Sequence, residues 1–227
     1  MESVYGSVHE VREQCRGQKL EGCLIQRADL SVLEFEGFTI DRVGFKSAGL
    51  GGVRFSRSLI LNSTFTGVQF RGAVFDGAQL RLASLMNSQG IEARFTSALL
   101  EHCKAYDTLL TNAVFDGARL LNCKFGGSDL NGARFERASL MHTAFSDSRM
   151  VHAQMMNVSF RGATLVDVDL QGANLYGADF RGALLMKVDL RDANLTNAKL
   201  DGATFVDVAT DRADMDAAQR AVMAGRA

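Results

Sequence analysis

The sequence predicts an all-β protein in which the chain winds into a four-sided, parallel β-helix. Three observations predict it: an unbroken five-residue repeat, a small residue two positions before each large one, and a twenty-residue spacing of the phenylalanines. A period of five fits neither the 3.6-residue repeat of an α-helix nor the two-residue repeat of a strand. A fixed internal repeat of this kind is typical of stacked, coiled architectures.

The repeat puts a large apolar residue at every fifth position, which we call the central position of a pentad. Residues 20–205 contain 38 consecutive central positions, and all except Gly90 and Ala105 are Leu, Ile, Phe or Met. Two residues earlier the chain has Ala, Ser, Thr, Cys or Val, and the exceptions are Gln18, Leu33 and Phe38. Residues i and i−2 of an extended chain face the same side, so both point inward. Because five is odd, the backbone must bend between pentads and wind around an axis.

Glycine often precedes the small residue, where a repeated corner needs backbone freedom. Examples are Gly72, Gly77, Gly117, Gly132, Gly162, Gly172, Gly177, Gly182 and Gly202. Gly90 and Ala105 interrupt the apolar column within one coil. We expect neighbouring side chains such as Phe70, Leu85, Leu110 and Phe125 to fill the space, and the alternative is a local soft spot or small cavity.

The phenylalanines indicate how many pentads form one coil. Of the 15 phenylalanines, 14 occupy central positions, and most of these fall into two columns with twenty-residue spacing. The columns are Phe35, Phe55, Phe75, Phe95, Phe115 and Phe135, and Phe45, Phe65, Phe125, Phe145 and Phe205. A period of ten also fits, but two pentads are too few to enclose a core. Four pentads per coil give about nine and a half coils over residues 18–208.

Short helices are predicted to cap both ends of the β-helix, where an open coil exposes its edge. In residues 1–17, Ser7 and Glu10 match a capping box, and Val8, Val11 and Cys15 follow at helical spacing before Gly17. In residues 209–227, a helix is predicted to begin after Thr210 or Asp211, with Met215, Ala218 and Val222 along one face.

The segments GANLYGADF and RDANLTNAKL closely resemble the A-[D/N]-L-x-x motif of the pentapeptide-repeat family. The resemblance covers residues 18 to about 207 and implies a right-handed, quadrilateral β-helix with four pentads per coil. The apolar part of the motif is complete, whereas Asp or Asn precedes the central residue only at Asp29, Asp129, Asp169, Asn174, Asp179, Asp189 and Asn194.

The residues predict no catalytic, cofactor or metal site, and therefore no enzyme. None of the common catalytic or nucleotide-binding motifs is present. His102 and His142 share a column but lie two coils apart, about 10 Å, which is too far for a shared metal. Cys103 and Cys123 lie one coil apart and are expected to be buried thiols rather than a disulfide.

An apolar group of outward residues near the C-terminus indicates a contact surface. Its residues are Val166, Leu184, Met186 and Val206, with Met215 and Val222 of the predicted helix. In the family the C-terminal coil and helix often form a dimer contact, which implies a homodimer. The alternative is that the chain's own C-terminal helix covers these residues. Leu121 with Met141, and Met86 with Tyr106, form smaller groups that could contact another protein.

An acidic corner forms the second candidate surface. Its aspartates are Asp107, Asp129, Asp147, Asp167, Asp169, Asp189 and Asp207. Arg149 and Lys187 interrupt the corner and leave a net charge of −5. The corner has about one net charge per 5 Å of rod, against about one per 1.7 Å of duplex DNA. Its charge density is therefore about threefold lower than that of the duplex it would imitate. Some pentapeptide-repeat proteins imitate DNA and bind DNA gyrase, giving protection against quinolones, so the resemblance implies gyrase as an alternative partner.

The balanced charge, −1 overall, gives no general attraction to nucleic acid or to an anionic membrane. The N-terminus lacks the apolar stretch of a secretory signal, so a cytoplasmic protein is expected. The sequence therefore predicts a non-enzymatic scaffold or adaptor that binds another protein, for example in a bacterial assembly such as a secretion apparatus. The alternative is a DNA-mimicking modulator of DNA gyrase.

Overall fold

The computed structural model describes residues 3–223 of the chain, apart from the side chains of Arg16 and Ala218. The chain forms a parallel β-helix of stacked coils with four sides. Two short α-helices lie near the ends, α1 at Val8–Gln14 and α2 at Ala217–Met223, and a 3-10 turn spans Arg16–Gln18. Within residues 3–223 neither helix is long or apolar enough to cross a membrane.

One side of the β-helix is an eleven-stranded parallel sheet. Its strands are β1 (Ser3–Tyr5), β3 (Cys23–Gln26), β5 (Gly44–Lys46), β7 (Thr64–Thr66), β9 (Ser84–Met86), β11 (Lys104–Tyr106), β13 (Lys124–Gly126), β14 (Ala144–Ser146), β15 (Thr164–Val166), β16 (Leu184–Met186) and β17 (Thr204–Val206). We call this side the long face.

The preceding side is a six-stranded parallel sheet. Its strands are β2 (Lys19–Glu21), β4 (Thr39–Asp41), β6 (Leu59–Leu61), β8 (Gln79–Arg81), β10 (Leu99–Glu101) and β12 (Arg119–Leu121). The same side continues as single bridges, from Arg119 to Ser139 and on to the pair Asp179 and Lys199. The other two sides consist of single bridges, as between Gln69 and Gln89 and between Arg94 and Val114.

The register between coils is twenty residues, which excludes the ten-residue alternative. Leu80 pairs with Leu100, and Leu100 pairs with Leu120. The predicted fold class, a β-helix with four pentads per coil, is therefore confirmed. Each pentad contributes one short extended segment, and its backbone hydrogen bonds connect to the coils on either side.

The core contains the large and the small residue of each pentad, as the parity argument predicts. The central phenylalanines of one column lie directly above one another: the Phe75 and Phe95 rings are 4.7 Å apart and 4° from parallel, and Phe115 and Phe135 repeat this geometry at 4.7 Å. Phe38, an exception to the small-residue rule, meets Phe35 edge-on at 5.4 Å. Stacking of identical rings therefore packs each coil closely against the next.

The corners require left-handed backbone at the residue two positions after a central residue. Gly72 has φ +64°, and non-glycine residues such as Asn112 (φ +56°) adopt the same conformation at the equivalent position. This region favours glycine, asparagine and aspartate. The predicted role of the corner glycines is confirmed.

Gly90 leaves space that the core fills with Phe70. A Cβ atom at Gly90 would overlap Cε2 and Cζ of the Phe70 ring and lie 2.8 Å from Cδ2. Phe70 itself is fully buried, and Ala105 is only 2% exposed. The expectation that Phe70 leans into the gap at Gly90 is therefore confirmed.

Buried hydroxyl groups satisfy backbone groups at the corner after the long face. Ser88 Oγ accepts a hydrogen bond from the Val68 amide at 3.0 Å and donates to the Phe65 carbonyl at 3.0 Å. Ser128 Oγ accepts from Thr108 at 3.4 Å and donates to the Ala105 carbonyl at 3.2 Å. These hydroxyls give the buried corner amides hydrogen-bond partners, which is why Ser and Thr are tolerated inside an apolar core.

At the N-terminal end, Ser7 and Glu10 form the predicted capping box. The Glu10 amide donates to Ser7 Oγ, and Glu10 Oε2 accepts from the Ser7 amide at 2.9 Å. Strand β1 was not predicted: it precedes the helix and pairs with β3, so the long face begins at Ser3 rather than after residue 17. The N-terminal segment thus adds a strand to the sheet as well as a helix.

Candidate partner-binding surfaces

The outward residues of each coil lie in columns because the register repeats every twenty residues. Val166, Met186 and Val206 are Cα partners in β15, β16 and β17. Leu184 lies on the same strand as Met186, so the structure brings these four predicted residues together on the long face. We call Val166, Leu184, Met186 and Val206 the apolar stripe.

Exposure along the apolar stripe increases towards the end of the sheet. Val166, Leu184 and Met186 are half-buried, while Val206 is 38% exposed. Strand β17 is the last strand of the long face, so its outer edge has no neighbouring strand within residues 3–223. An apolar surface next to an unpaired strand edge is suited to contact another chain.

The C-terminal helix begins later than predicted. The five-residue register continues past residue 208, since Asn194 pairs with Asp214 and Met215 is buried at the next central position. Helix α2 therefore starts at Ala217, not after Thr210 or Asp211. Met215 belongs to the core of the last turn, so its predicted place on a helix face was wrong.

Helix α2 is fixed to the end of the β-helix by Asp216 and Gln219. The Gln219 amide donates to Asp216 Oδ1 at 2.8 Å, and the Asp216 amide donates to Gln219 Oε1 at 2.8 Å. The buried Gln219 side chain also donates to the carbonyls of Leu195 and Ala198 at 2.8 and 2.9 Å. The helix thus covers the last turn near these residues, and Val222 packs against the core there.

The rest of the end surface is open and partly apolar. A depression of about 500 Å³ lies between the final coil and α2. Its lining includes Phe205, Val208, Met215, Arg220 and Met223. Phe205 is only half-buried, in contrast to the fully buried phenylalanines of the inner coils.

The predicted acidic corner consists of two kinds of aspartate. Asp129, Asp169 and Asp189 precede a central residue, and each Oδ1 accepts a hydrogen bond at 3.0 Å from the backbone amide two residues later. Asp129 also binds Arg149 at 2.8 Å. These carboxylates stabilise their own turns, which explains why the family motif places Asp or Asn there.

The other four aspartates of the corner occupy left-handed positions. Asp107, Asp147, Asp167 and Asp207 have φ between +50° and +53° and are exposed. Asp167 lies 3.8 Å from Lys187. The left-handed backbone itself favours aspartate at these four positions. The acidic corner therefore stays a predicted partner surface.

Two ion pairs near the C-terminus shift carboxyl groups towards the charged form. Arg181 donates to Asp179 at 2.7 and 2.9 Å and lowers the pKa of that carboxyl below its ordinary value. Arg191 donates to Asp189 with Nε at 2.9 Å and lowers the pKa of Asp189 in the same way. Both carboxylates therefore stay charged to a lower pH than an ordinary aspartate does.

The structure gives no support to a metal site within residues 3–223, where no three His, Cys, Asp or Glu residues lie close enough to hold an ion. Cys103 and Cys123 are free, buried thiols. Each thiol lies near a carbonyl oxygen, Cys103 Sγ at 3.3 Å from Leu80 and Cys123 Sγ at 3.4 Å from Leu100. The neighbouring Cys103 and burial raise the pKa of Cys123, so that thiol is kept protonated.

A group of residues halfway along the rod was not predicted. Lys104 and Lys124 are Cα partners on the long face, and Leu82 and His102 lie beside them around a depression of about 280 Å³. The signal was present in the sequence, since the two lysines are separated by one coil of twenty residues.

Comparison with known proteins agrees with this architecture. A model of the pentapeptide repeat region matches residues 93–175, and a model of pentapeptide repeats in eight copies matches residues 48–88 and 189–218. Together they cover more than half of the chain. A comparison with curated protein sequences gives no significant match.

Several solved structures also resemble the chain. HetL, a pentapeptide repeat protein involved in heterocyst differentiation regulation from the cyanobacterium Nostoc sp. strain PCC 7120, is 21% identical, with 80% of this chain and 88% of HetL covered and a TM-score of 0.49. A trypsin-treated form of QnrB1, a plasmid-mediated fluoroquinolone resistance protein, is 18% identical, with 99% and 95% covered and a TM-score of 0.44. None of these likenesses bears on what this chain binds. The repeat, its twenty-residue register and the two family matches show that the chain belongs to the pentapeptide-repeat family.

Proposed function

We propose that the protein is a non-enzymatic scaffold or adaptor that binds another protein through the outer faces of its β-helix. The observation that supports this most strongly is the apolar stripe, in which Val166, Met186 and Val206 are held in register on the long face. Soluble proteins place apolar side chains together on a surface mainly where they contact another molecule. A bacterial cytoplasmic assembly is part of the proposal.

The same surface supports a homodimer as the first contact. Helix α2 is anchored at Leu195 and Ala198 and leaves Val206 38% exposed, so the described part of the helix does not cover the end of the stripe. The half-buried Phe205 and the unpaired edge of β17 extend the surface to the end of the rod. Two copies related by a two-fold axis would bury both stripes and both edges.

Sedimentation of the Met186→Asp variant tests this contact. A charge at the centre of the stripe should convert a dimer into a monomer, because a buried, unpaired carboxylate opposes association. Thr66→Asp is the matched control, since Thr66 occupies the same column in β7, away from the stripe. A dimer that survives Met186→Asp removes the stripe from its interface.

If the wild type sediments as a monomer, the homodimer proposal is contradicted. The scaffold proposal is then decided by affinity purification from the native host with the wild type and Met186→Asp. A specific partner that the wild type retains supports the proposal, and recovery of no partner contradicts it.

Modulation of DNA gyrase is the second candidate. It is favoured by three exposed carboxylates in one column, Asp107, Asp147 and Asp207, which form no ion pair within residues 3–223. A gyrase supercoiling assay with and without a quinolone tests it, with the triple Asp→Asn variant as the matched control, since asparagine also tolerates these left-handed positions. The proposal fails if the wild type neither inhibits supercoiling nor protects gyrase against the quinolone.

A further inference from the structure

We propose that the middle of the rod binds an acidic segment of a partner protein that has apolar side chains between its carboxylates. The inference rests on the proposed function, because it names the chemistry of the partner. The binding surface, which we call the central patch, consists of Leu82, Met86, His102, Lys104, Tyr106 and Lys124.

Two lysines give the central patch its positive charge. Lys104 and Lys124 are exposed and directly opposed in the neighbouring strands β11 and β13. Adjacent strands are about 4.8 Å apart, and like charges directly opposite each other are unfavourable. Within residues 3–223 the lysines that form ion pairs are Lys19 and Lys187, so the charges of Lys104 and Lys124 are not neutralised there.

The residues before and after the two lysines in their column leave both lysine side chains accessible. Ser84 precedes Lys104 and Ala144 follows Lys124 as Cα partners. Neither has a charge or a long side chain. The two positive charges therefore stand together on an otherwise neutral part of the sheet, and a carboxylate-rich ligand complements them.

Leu82 adds an apolar residue at the edge of the patch. It is 59% exposed and has φ +55°, a left-handed conformation that leucine rarely adopts. Asn62 and Asn122 occupy the equivalent corner one coil before and two coils after it. Leucine here exposes apolar surface to water and holds the backbone in a conformation that it disfavours. An apolar group of a partner would cover the exposed side chain.

Tyr106 and Met86 form the other apolar side of the patch. They are Cα partners in β11 and β9, and Gly126 is the partner of Tyr106 in β13. A Cβ atom at Gly126 would lie 2.6 Å from Tyr106 Cδ1, so the glycine makes room for the ring to lie over the next strand. Tyrosine and methionine are enriched in the centres of protein interfaces.

Both exceptions among the central positions of the repeat lie in the coils that form this patch. Ala105, the small central residue, lies on the inner side of the strand whose outer side has Lys104 and Tyr106. Gly90, the other exception, is in the same coil as Leu82 and Met86. Positions where a regular sequence breaks its own rules without a gain in folding are those where function is expected.

The test measures binding of a fluorescein-labelled peptide of alternating Glu and Leu by fluorescence anisotropy at low salt. The double variant Lys104→Gln/Lys124→Gln should bind about 5- to 10-fold more weakly, because two exposed charge contacts are lost. Lys19→Gln/Lys187→Gln removes the same charge elsewhere and should bind as the wild type does. Far-UV circular dichroism checks that each variant is folded.

Four results would overturn the inference. They are no binding to the wild type, equal weakening in both double variants, equally tight binding of a peptide with Gln in place of Glu, and displacement of the peptide by duplex DNA at the same lysines. The last result would make the patch a nucleic-acid site.

Failure of the proposed function is detected separately. If affinity purification from the native host recovers no specific partner with the wild type, the scaffold proposal fails whatever the peptide does. If a partner is recovered equally well with Lys104→Gln/Lys124→Gln, the scaffold proposal stands and the central patch is not its binding surface.

Discussion

The central coils, residues 80–126, and the C-terminal coils, residues 160–200, share one backbone but differ inside and outside. In the C-terminal coils every central position is Leu or Phe, and the Phe160 and Phe180 rings stack 4.9 Å apart. In the central coils Gly90 and Ala105 replace large residues. The same winding therefore tolerates two very different interiors.

Backbone hydrogen bonds explain this tolerance. The Gly90 amide donates to the Leu109 carbonyl at 2.8 Å, and the Leu190 amide, at the same position of a C-terminal coil, donates to the Ala209 carbonyl at 2.8 Å. The ladder between coils is thus independent of the side chain at the central position. What the core requires is filled volume, which a neighbour from another coil can supply.

The largest effect is expected for Phe70→Ala compared with Phe180→Ala. Loss of a buried phenylalanine costs about 3–5 kcal/mol. Phe70 fills the space at Gly90 in addition to its own position, so Phe70→Ala should lie at the upper end of this range and Phe180→Ala should be less severe. Urea unfolding followed by circular dichroism measures both.

Amide hydrogen exchange locates the damage, since neighbouring coils of a solenoid can open separately. Phe70→Ala should accelerate exchange around residues 70–110 more than around residues 160–200. Equal costs for the two variants, with uniform exchange, would contradict a special filling role for Phe70.

The next effect concerns the glycine itself. Gly90→Ala should destabilise the protein by about 1–3 kcal/mol, because the added Cβ atom overlaps the Phe70 ring. Gly51→Ala is the matched control, since its Cβ would be 3.9 Å from the nearest atom, the Arg71 carbonyl oxygen, and its φ is not positive. Thermal unfolding of both variants measures the difference. A neutral Gly90→Ala would show that the central coils have spare volume.

Most of the fold was predictable, because the repeat determines which side chains face inward and how often the chain turns. The start of α2 was not predictable, since Asp211 is as suitable an N-cap as Asp216. Only the buried Met215 and the hydrogen bonds of Gln219 decide between them. Strand β1 left a weak signal, since Ser3 and Tyr5 lie twenty residues before the small Cys23 and the central Ile25, but helix α1 interrupts the repeat between them.

The surfaces were predictable only in part. The twenty-residue spacing predicted that Val166, Met186 and Val206 share one column, since the register is strict. The aspartates of the acidic corner were also found, but the sequence alone does not reveal that Asp129 and Asp169 serve their own turns. Leu82 was not predicted, because the feature that distinguishes it is a left-handed backbone angle, which no side-chain pattern shows.

A smaller effect is expected at this corner. Leu82→Asn should stabilise the central coils by roughly 0.5–1 kcal/mol, because asparagine adopts the left-handed conformation more readily than leucine. The reverse change, Asn122→Leu, introduces leucine at the equivalent position with φ +53° and should destabilise by a similar amount. Thermal unfolding of the two variants tests this pair, and a loss of stability in Leu82→Asn would mean that Leu82 is needed for folding rather than for contact.

The smallest effect concerns the ion pairs of the C-terminal coils, and it depends on pH. Arg181 lowers the pKa of Asp179, so the stability from this pair is present above the ordinary carboxyl pKa of about 3.9 and is lost as pH falls through the lowered value. Asp179→Asn keeps an acceptor for the Arg181 amide, as Asn194 does for Thr196 at 3.0 Å.

Asp179→Asn should therefore cost a few tenths of a kcal/mol at pH 7, since the arginine is partly exposed, and less near pH 2. Urea midpoints at the two pH values measure this convergence. Asp107→Asn, in the central coils, removes a carboxylate without an ion pair within the described residues and should change little at either pH. A gap between wild type and Asp179→Asn that widens in acid would show that the charged carboxylate destabilises the coil, and would contradict a stabilising role for this ion pair.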